Sequence, residues 1–141
     1  MIAVDTNILV YAHREELPLH ARARRRLTEL AEGDVPWALP VFCMGEFLRV
    51  VTHARLFNPP TALERAVEAL ESLCASPAAT LLLPGERYWP LLAAMAPAAG
   101  ARGNLIYDAQ IAALCREHGV DVILSDDRDF ARFKGVRVQT L

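Results

Sequence analysis

At 141 residues, 53% of them hydrophobic, the chain is large enough for one buried core and short for two. A formal net charge of −2 excludes a protein drawn onto nucleic acid by its overall field, so any such contact has to come from a local basic patch or from metal ions. Three widely spaced cysteines, Cys43, Cys74 and Cys115, make neither an even disulfide set nor a zinc pattern; each lies among apolar residues at helical spacing, which predicts small buried thiols and a reducing, cytoplasmic setting. No apolar run approaches bilayer length, and the N-terminus lacks the basic segment and long apolar core of a leader, so no membrane association is expected.

Ile2, Ala3 and Val4 form the first strand, apolar throughout as suits a strand covered on both faces. It runs straight into Asp5, which must reach water, a cation or a partner because an unpaired buried carboxylate is costly. Asn7–Ala12 reads as a short helix. His20–Glu32 is an amphipathic one: His20, Ala23, Leu27, Leu30 and Ala31 share one face, Arg22, Arg25, Arg26 and Glu29 the other, and Gly33 ends it. Trp37–Leu39 is a short strand. Pro40 then precedes a strongly apolar helix from Val41 to about His53. Asn58-Pro59-Pro60 breaks the chain. Thr61-Ala62-Leu63-Glu64 reads as a capping box for a helix whose apolar face is Leu63, Ala66, Val67, Leu70, Leu73 and Cys74. Thr80–Leu83 is a strand, and Glu86 to about Ala96 a helix with Pro90 in its first turn. Pro97–Gly103 is a loop, Asn104 caps a helix running to His118, and Gly119 stops it. Val122–Leu124 is a strand, Ser125–Asp129 an acidic turn, and Val136–Gln139 an edge strand. Strands alternating with helices predict an α/β fold with a short, mostly parallel sheet.

Parallel α/β sheets bind ligands outside the carboxyl ends of their strands. Asp5 ends one strand, and Asp126, Asp127 and Asp129 follow another, which suggests one crevice. Glu46 lies on the apolar helix, on a face shared with Phe42, Cys43 and Val50; with that helix apolar nearly all round, the carboxylate needs a metal or a cationic partner such as Arg49. Asp108 sits about one turn after Asn104, where a helix N-terminus favours an anion, yet it shares a face with Ile111 and Cys115. Each acid alone has an ordinary explanation: an ion pair, a helix-dipole partner, a turn cap. Together, four segments could bring carboxylates into one place, where they would repel each other and raise each other's pKa. A hard divalent cation such as Mg²⁺ removes that conflict, and such a site suits phosphodiester hydrolysis.

The ordered set Val4-Asp5-Thr6-Asn7, Glu46, Asn104-Leu105-Ile106-Tyr107-Asp108-Ala109 and Ser125-Asp126-Asp127-Arg128-Asp129-Phe130 resembles the PIN-domain ribonucleases, and among them the VapC-type toxins of bacterial toxin–antitoxin pairs. The ending Ala131-Arg132-Phe133-Lys134-Gly135-Val136 fits as well, so the resemblance spans residues 1–141 as one PIN-like domain. It implies a three-layer sandwich, a short parallel sheet flanked by helices, with Mg²⁺ or Mn²⁺, endoribonuclease activity on single-stranded or looped RNA, a homodimer, and inhibition by a cognate antitoxin protein. Carried over by position, the resemblance implies Asp5 and Asp108 as the metal ligands, Glu46 as a further ligand or water-orienting acid, and Asp127, or Asp129 in its place, as the fourth acid. Thr6, Asn7, Ser125 and Asp129 support them. Serine stands at 125 where threonine is commoner, a change that keeps the hydroxyl.

RNA must still be held. Arg14, Arg102 and Arg128 are the candidates. The Arg22, Arg24, Arg25, Arg26 cluster reads first as a solvated face, and Leu56, Phe57 and the Trp89 region fit either core packing or a protein partner. None of His13, His20, His53 or His118 stands in a pairing that suggests histidine-based cleavage. A haloacid-type phosphatase wants a second aspartate where Asn7 stands, and a receiver domain wants a lysine where none lies; Lys134, the one lysine, comes after the last acidic turn. The remaining rival is a catalytically inactive PIN-like module that binds RNA or protein, against which stands the intact acidic set.

Overall fold

The computed structural model describes all 141 residues. At its centre is a five-stranded sheet in the order β3-β2-β1-β4-β5, with every neighbouring pair parallel. The strands are β1 (Ile2–Val4), β2 (Trp37–Pro40), β3 (Ala79–Leu82), β4 (Val122–Leu124) and β5 (Arg137–Gln139). Six helices flank them: α1 (Thr6–His13), α2 (His20–Glu32), α3 (Val41–Val51), α4 (Leu63–Cys74), α5 (Tyr88–Ala98) and α6 (Leu105–Glu117). Successive strand residues point to opposite faces. Ala3 and Val4, and the run Trp37, Ala38 and Leu39, are nonetheless all buried, so helices cover both faces of the central strands. This is the expected three-layer α/β arrangement.

Topology places the crevice. From β1 the chain winds through β2 to the β3 edge, then returns to add β4 and β5 on the other side of β1. The winding reverses between β1 and β4, where parallel sheets open at their carboxyl ends. The ladder between them runs Ile2 to Val122, Ala3 to Ile123 and Val4 to Leu124. The Asp5 N–H donates to the Leu124 carbonyl at 3.0 Å, extending that ladder past both strands and setting Asp5 beside Ser125.

Several local expectations are corrected. The short helix begins at Thr6 and runs to His13, because Asp5 itself caps it. No capping box forms at Thr61: the helix starts at Leu63 with no side-chain cap, and the Thr61 hydroxyl is taken by His13 Nε2 at 3.0 Å and Arg14 Nη1 at 3.1 Å. Only Ala66 and Leu70 of the predicted α4 face are buried; Leu63, Val67 and Cys74 are exposed, since α4 packs by β3 at the sheet edge with nothing outside it. Of the three thiols, Cys43 and Cys115 are buried as expected. The predicted 97–103 loop is shortened because α5 runs on through Pro97 to Ala98, and Asn104 precedes α6 without a capping bond. Gly119 does end α6: at φ +70° it lets the Val120 N–H reach back to the Cys115 carbonyl at 2.8 Å, closing the helix end as only glycine does cheaply.

After β4 a single 3₁₀ turn, Arg128–Arg132, carries the fully buried Phe130, which pins the acidic turn to the core. Phe130→Ala should lower the unfolding free energy by about 3–5 kcal/mol in a urea titration, and Phe130→Leu by far less.

Candidate active site

Asp5 is the point from which the site is built. It is 6% exposed and serves two elements, closing β1 and capping α1 through Oδ1, which accepts the Thr6 N–H at 2.7 Å. Its Oδ2 accepts the Ser125 hydroxyl at 2.6 Å. Ser125 is fully buried, and its oxygen in turn accepts the Asp127 N–H at 2.9 Å and Asn7 Nδ2 at 3.3 Å. One hydroxyl therefore ties the end of β1, the start of α1 and the turn after β4 to one another. The Cys43 thiol lies below, 3.9 Å from Asp5 Oδ1.

Glu46 reaches the same place from α3. The Thr6 hydroxyl donates to its Oε2 at 2.9 Å, while Arg49 stands 3.7 Å from Oε1. The side chain is 38% exposed, so the helix is not apolar all round as its sequence suggested; α3 buries Cys43, Phe47 and Val51 and turns Glu46 to the crevice. Asp108 enters from the first turn of α6. Asp127 caps the 3₁₀ turn, its Oδ1 accepting the Asp129 N–H at 2.8 Å. Asp5, Glu46, Asp108 and Asp127 line one cavity of about 290 Å³, together with Thr6, Asn7 and Tyr11. No lysine or arginine enters that lining.

The electrostatics follow from that composition. Burial, followed by the charges of Asp127, Asp5, Glu46 and Asp129, pushes Asp108 up to about 7. Burial lifts Asp5 to about 6, against the lowering effect of the Ser125 and Thr6 hydrogen bonds, with Glu46 and Asp127 raising it further. Oxygen atoms of Asp108, Asp127 and Asp129 lie within 4.8 Å of one another, close enough to share an ion. An all-oxygen donor set of mutually repelling carboxylates is the chemistry a hard divalent cation satisfies, so the residues present fit Mg²⁺ or Mn²⁺. Asp129 stands at the rim, exposed and 3.3 Å from Arg132, whereas Asp127 faces the cavity.

Other candidates fall elsewhere. Arg14 is 13% exposed and already engaged: it bonds Glu16 at 2.6 Å, Thr61, and the Pro59 carbonyl at 3.0 Å, and lies 4.5 Å over the Phe57 ring. It staples the 56–61 loop to α1 and leaves no free fork for phosphate. Arg102 and Arg128 are exposed and form no ion pair. No histidine lines the cavity. His13 packs edge-on against Phe47, and His20 lies 2.9 Å from the Tyr11 carbonyl. Leu56 and Trp89 are exposed, so neither is core. Sequence reasoning missed Tyr11, whose hydroxyl donates to Asp126 at 3.4 Å above the cavity; its place in α1, one turn after Asn7, was the available signal.

The PIN domain family matches residues 2–136. Over 137 residues the chain is 45% identical to ribonuclease VapC43 of Mycobacterium tuberculosis, covering 97% of this chain and 92% of that protein. Among solved structures, VapBC2 of Rickettsia felis bound to a promoter DNA fragment is similar with a TM-score of 0.69 at 16% identity, covering 100% of this chain and 99% of that one. VapC20 of M. tuberculosis, described as a toxin that cleaves the sarcin–ricin loop, follows with a TM-score of 0.63 at 20% identity, covering 97% and 99%. At those identities the structural likeness speaks for the fold alone.

A carboxylate raised in the folded state costs nothing below its unfolded pKa, near 4, and costs most above its folded one, near 7 for Asp108. Asp108 makes no side-chain hydrogen bond that asparagine would break. Asp108→Asn should therefore stabilise the metal-free protein at pH 8, by about 1 kcal/mol once solvent screening of this half-buried group is allowed for. The gain should vanish by about pH 4, as followed by thermal melts across that range.

Proposed function

This chain belongs to the PIN-domain family, within its group of VapC ribonucleases, and from that premise we propose that it is a divalent-cation-dependent endoribonuclease that cuts single-stranded or looped RNA as the toxin of a toxin–antitoxin pair. The observation that carries this reading is the cavity at the β1/β4 switch point, lined by Asp5, Glu46, Asp108 and Asp127 with no basic side chain among them. A resident ribonuclease of another kind would need a histidine or lysine there. An inert binding module would have no use for carboxylates held at raised pKa.

Asp5, Asp108 and Asp127 are the residues that would hold Mg²⁺ or Mn²⁺, with Asp129 within reach. Held there, the ion would supply positive charge to a phosphate oxygen and make water more acidic at neutral pH. The chain's own groups do the rest. Ser125 and the Thr6 N–H fix both oxygens of Asp5, so its orientation is set before substrate arrives. Thr6 holds Glu46 through Oε2, and Oε1, which has Arg49 3.7 Å away and no hydrogen bond, orients a water and takes its proton as the water oxygen bonds to phosphorus. The bond from phosphorus to the ribose 3′-oxygen breaks, that oxygen takes a proton from solvent, and the other fragment keeps a 5′-phosphate. Asp127, held by its own turn, borders the same space and can share the orienting role.

Arg102 and Arg128, exposed and unpaired, are the proposed backbone contacts. A cognate antitoxin and a second copy of the chain are the proposed partners; the Rickettsia felis relative is described as a VapBC assembly. No helix is long and apolar enough to cross a membrane; the proposed RNA substrate is what places the activity in the cytoplasm.

The test is cleavage of total cellular RNA by the purified protein with Mg²⁺ or Mn²⁺, with chelator, and with Asp5→Asn and Glu46→Gln. Cuts bearing 5′-phosphates, abolished by chelator and lowered about 100-fold or more in each variant, are expected. Cleavage that survives chelator, or ends in 2′,3′-cyclic phosphate, would overturn the mechanism.

A further inference from the structure

Beside the acidic cavity lies a second space that the reaction described above does not use. It is a groove of about 800 Å³ between α3 and α6, sharing Glu46, Asp108 and Asp127 with the cavity, so the two adjoin across those side chains. Away from the acids its walls change character. Phe42, Gly45 and Arg49 come from α3; Asn104, Tyr107 and Gln110, spaced three apart on one stripe of α6, face them.

Three of these residues lack a structural reason. Tyr107 is 61% exposed, a large aromatic side chain left in solvent one residue before Asp108. Asn104 occupies the cap position of α6, yet its side chain makes no capping bond. Gly45 sits in mid-helix, where glycine costs about 1 kcal/mol relative to alanine. Its φ is not positive, and a Cβ built on it would meet nothing within 4 Å. No close packing requires a glycine there, and the missing side chain leaves that part of the groove wall empty. Arg49, 63% exposed and 3.7 Å from Glu46, puts one positive charge in the same wall.

An exposed aromatic face, amides beside it, an arginine and empty space next to a phosphodiester-cleaving cavity match the way proteins hold an unstacked base: the ring stacks, amides meet the base edge, and arginine meets phosphate. We propose that the α3/α6 groove is a subsite for a nucleobase of single-stranded RNA adjoining the scissile phosphate, with Tyr107 as its stacking face and Asn104 and Gln110 along its edge. The proposal rests on the ribonuclease reading and deepens it: base preference at one position beside the cut is set here.

The experiment uses the full chain and a pool of random-sequence 20-nucleotide RNA with Mn²⁺, reading rate and the base composition around each cut. Tyr107→Ala should lower kcat/KM about ten- to a hundredfold and flatten the preference at one flanking position, while Tyr107→Phe keeps both. Gly45→Leu, a good helix former placed in open space, should fold at least as well and block the groove with the same loss; Gly45→Ala should change little. Mn²⁺ affinity by calorimetry should stay at the wild-type value in Tyr107→Ala and Gly45→Leu, which separates a lost base contact from a disturbed acid cluster. Unchanged rate and unchanged cut-site composition in both variants would overturn the proposal and leave the groove to a protein partner. If the wild-type protein cuts nothing with Mg²⁺ or Mn²⁺, the ribonuclease reading fails by itself. Fluorescence anisotropy of the intact pool then decides the groove: binding lost in Tyr107→Ala and Gly45→Leu sustains a base site, and absent or unaltered binding ends it.

Discussion

The Ser125 hydroxyl holds this site together. It is fully buried, gives its proton to Asp5 Oδ2, and receives N–H groups from Asp127 and Asn7. Through it, the β1–α1 junction and the turn after β4, which meet because β1 pairs with β4 in the sheet, become one rigid edge. Removing the hydroxyl would leave a buried carboxylate short of a donor and a turn without its anchor, a double cost in a low-dielectric place. Glu46 and Asp108 then arrive on helices whose buried faces are fixed by the core: Cys43, Phe47 and Val51 for α3, Ile111 and Cys115 for α6. The acids are aimed by packing.

That edge is built at the expense of stability. Burial raises both Asp5 and Asp108, and like charges add to it. Proteins of ordinary size are stable by only about 5–15 kcal/mol, so carboxylates held against their preference are kept where function needs them. A bound divalent cation would convert that liability into binding energy. In such a case the metal-free fold is the less stable form, and ion binding, protonation and folding are linked.

Much of this was legible in the sequence. A carboxylate directly after an apolar strand, an acid on an apolar helix, another one turn into a helix and an aspartate-rich turn after a second strand are local signals, and parallel-sheet topology says where such strand ends meet. The four acids do line one cavity. What could not be read were relations across the chain. Thr61 looked like a cap, but His13 and Arg14 claimed its hydroxyl. Arg14 looked available for RNA until Glu16, Pro59 and Phe57 were seen around it. The apolar stripe of α4 was real, but the helix packs against α3 and β3 at the sheet edge with its outer side open, so Leu63 and Val67 stay in solvent. Tyr107 and Gly45 are far apart in sequence, and only the packing of α3 beside α6 makes them two walls of one groove.

Whether these carboxylates form one cation site is read out by titrating the wild-type protein with Mn²⁺ in buffers of different ionisation heat near pH 7. With Asp108 held near 7, ion binding must displace its proton. Saturable binding should be accompanied by proton release that shrinks as the pH is raised to 8, with both lost in Asp108→Asn. No saturable binding, or binding that persists at wild-type strength in Asp108→Asn, would rule out the shared site.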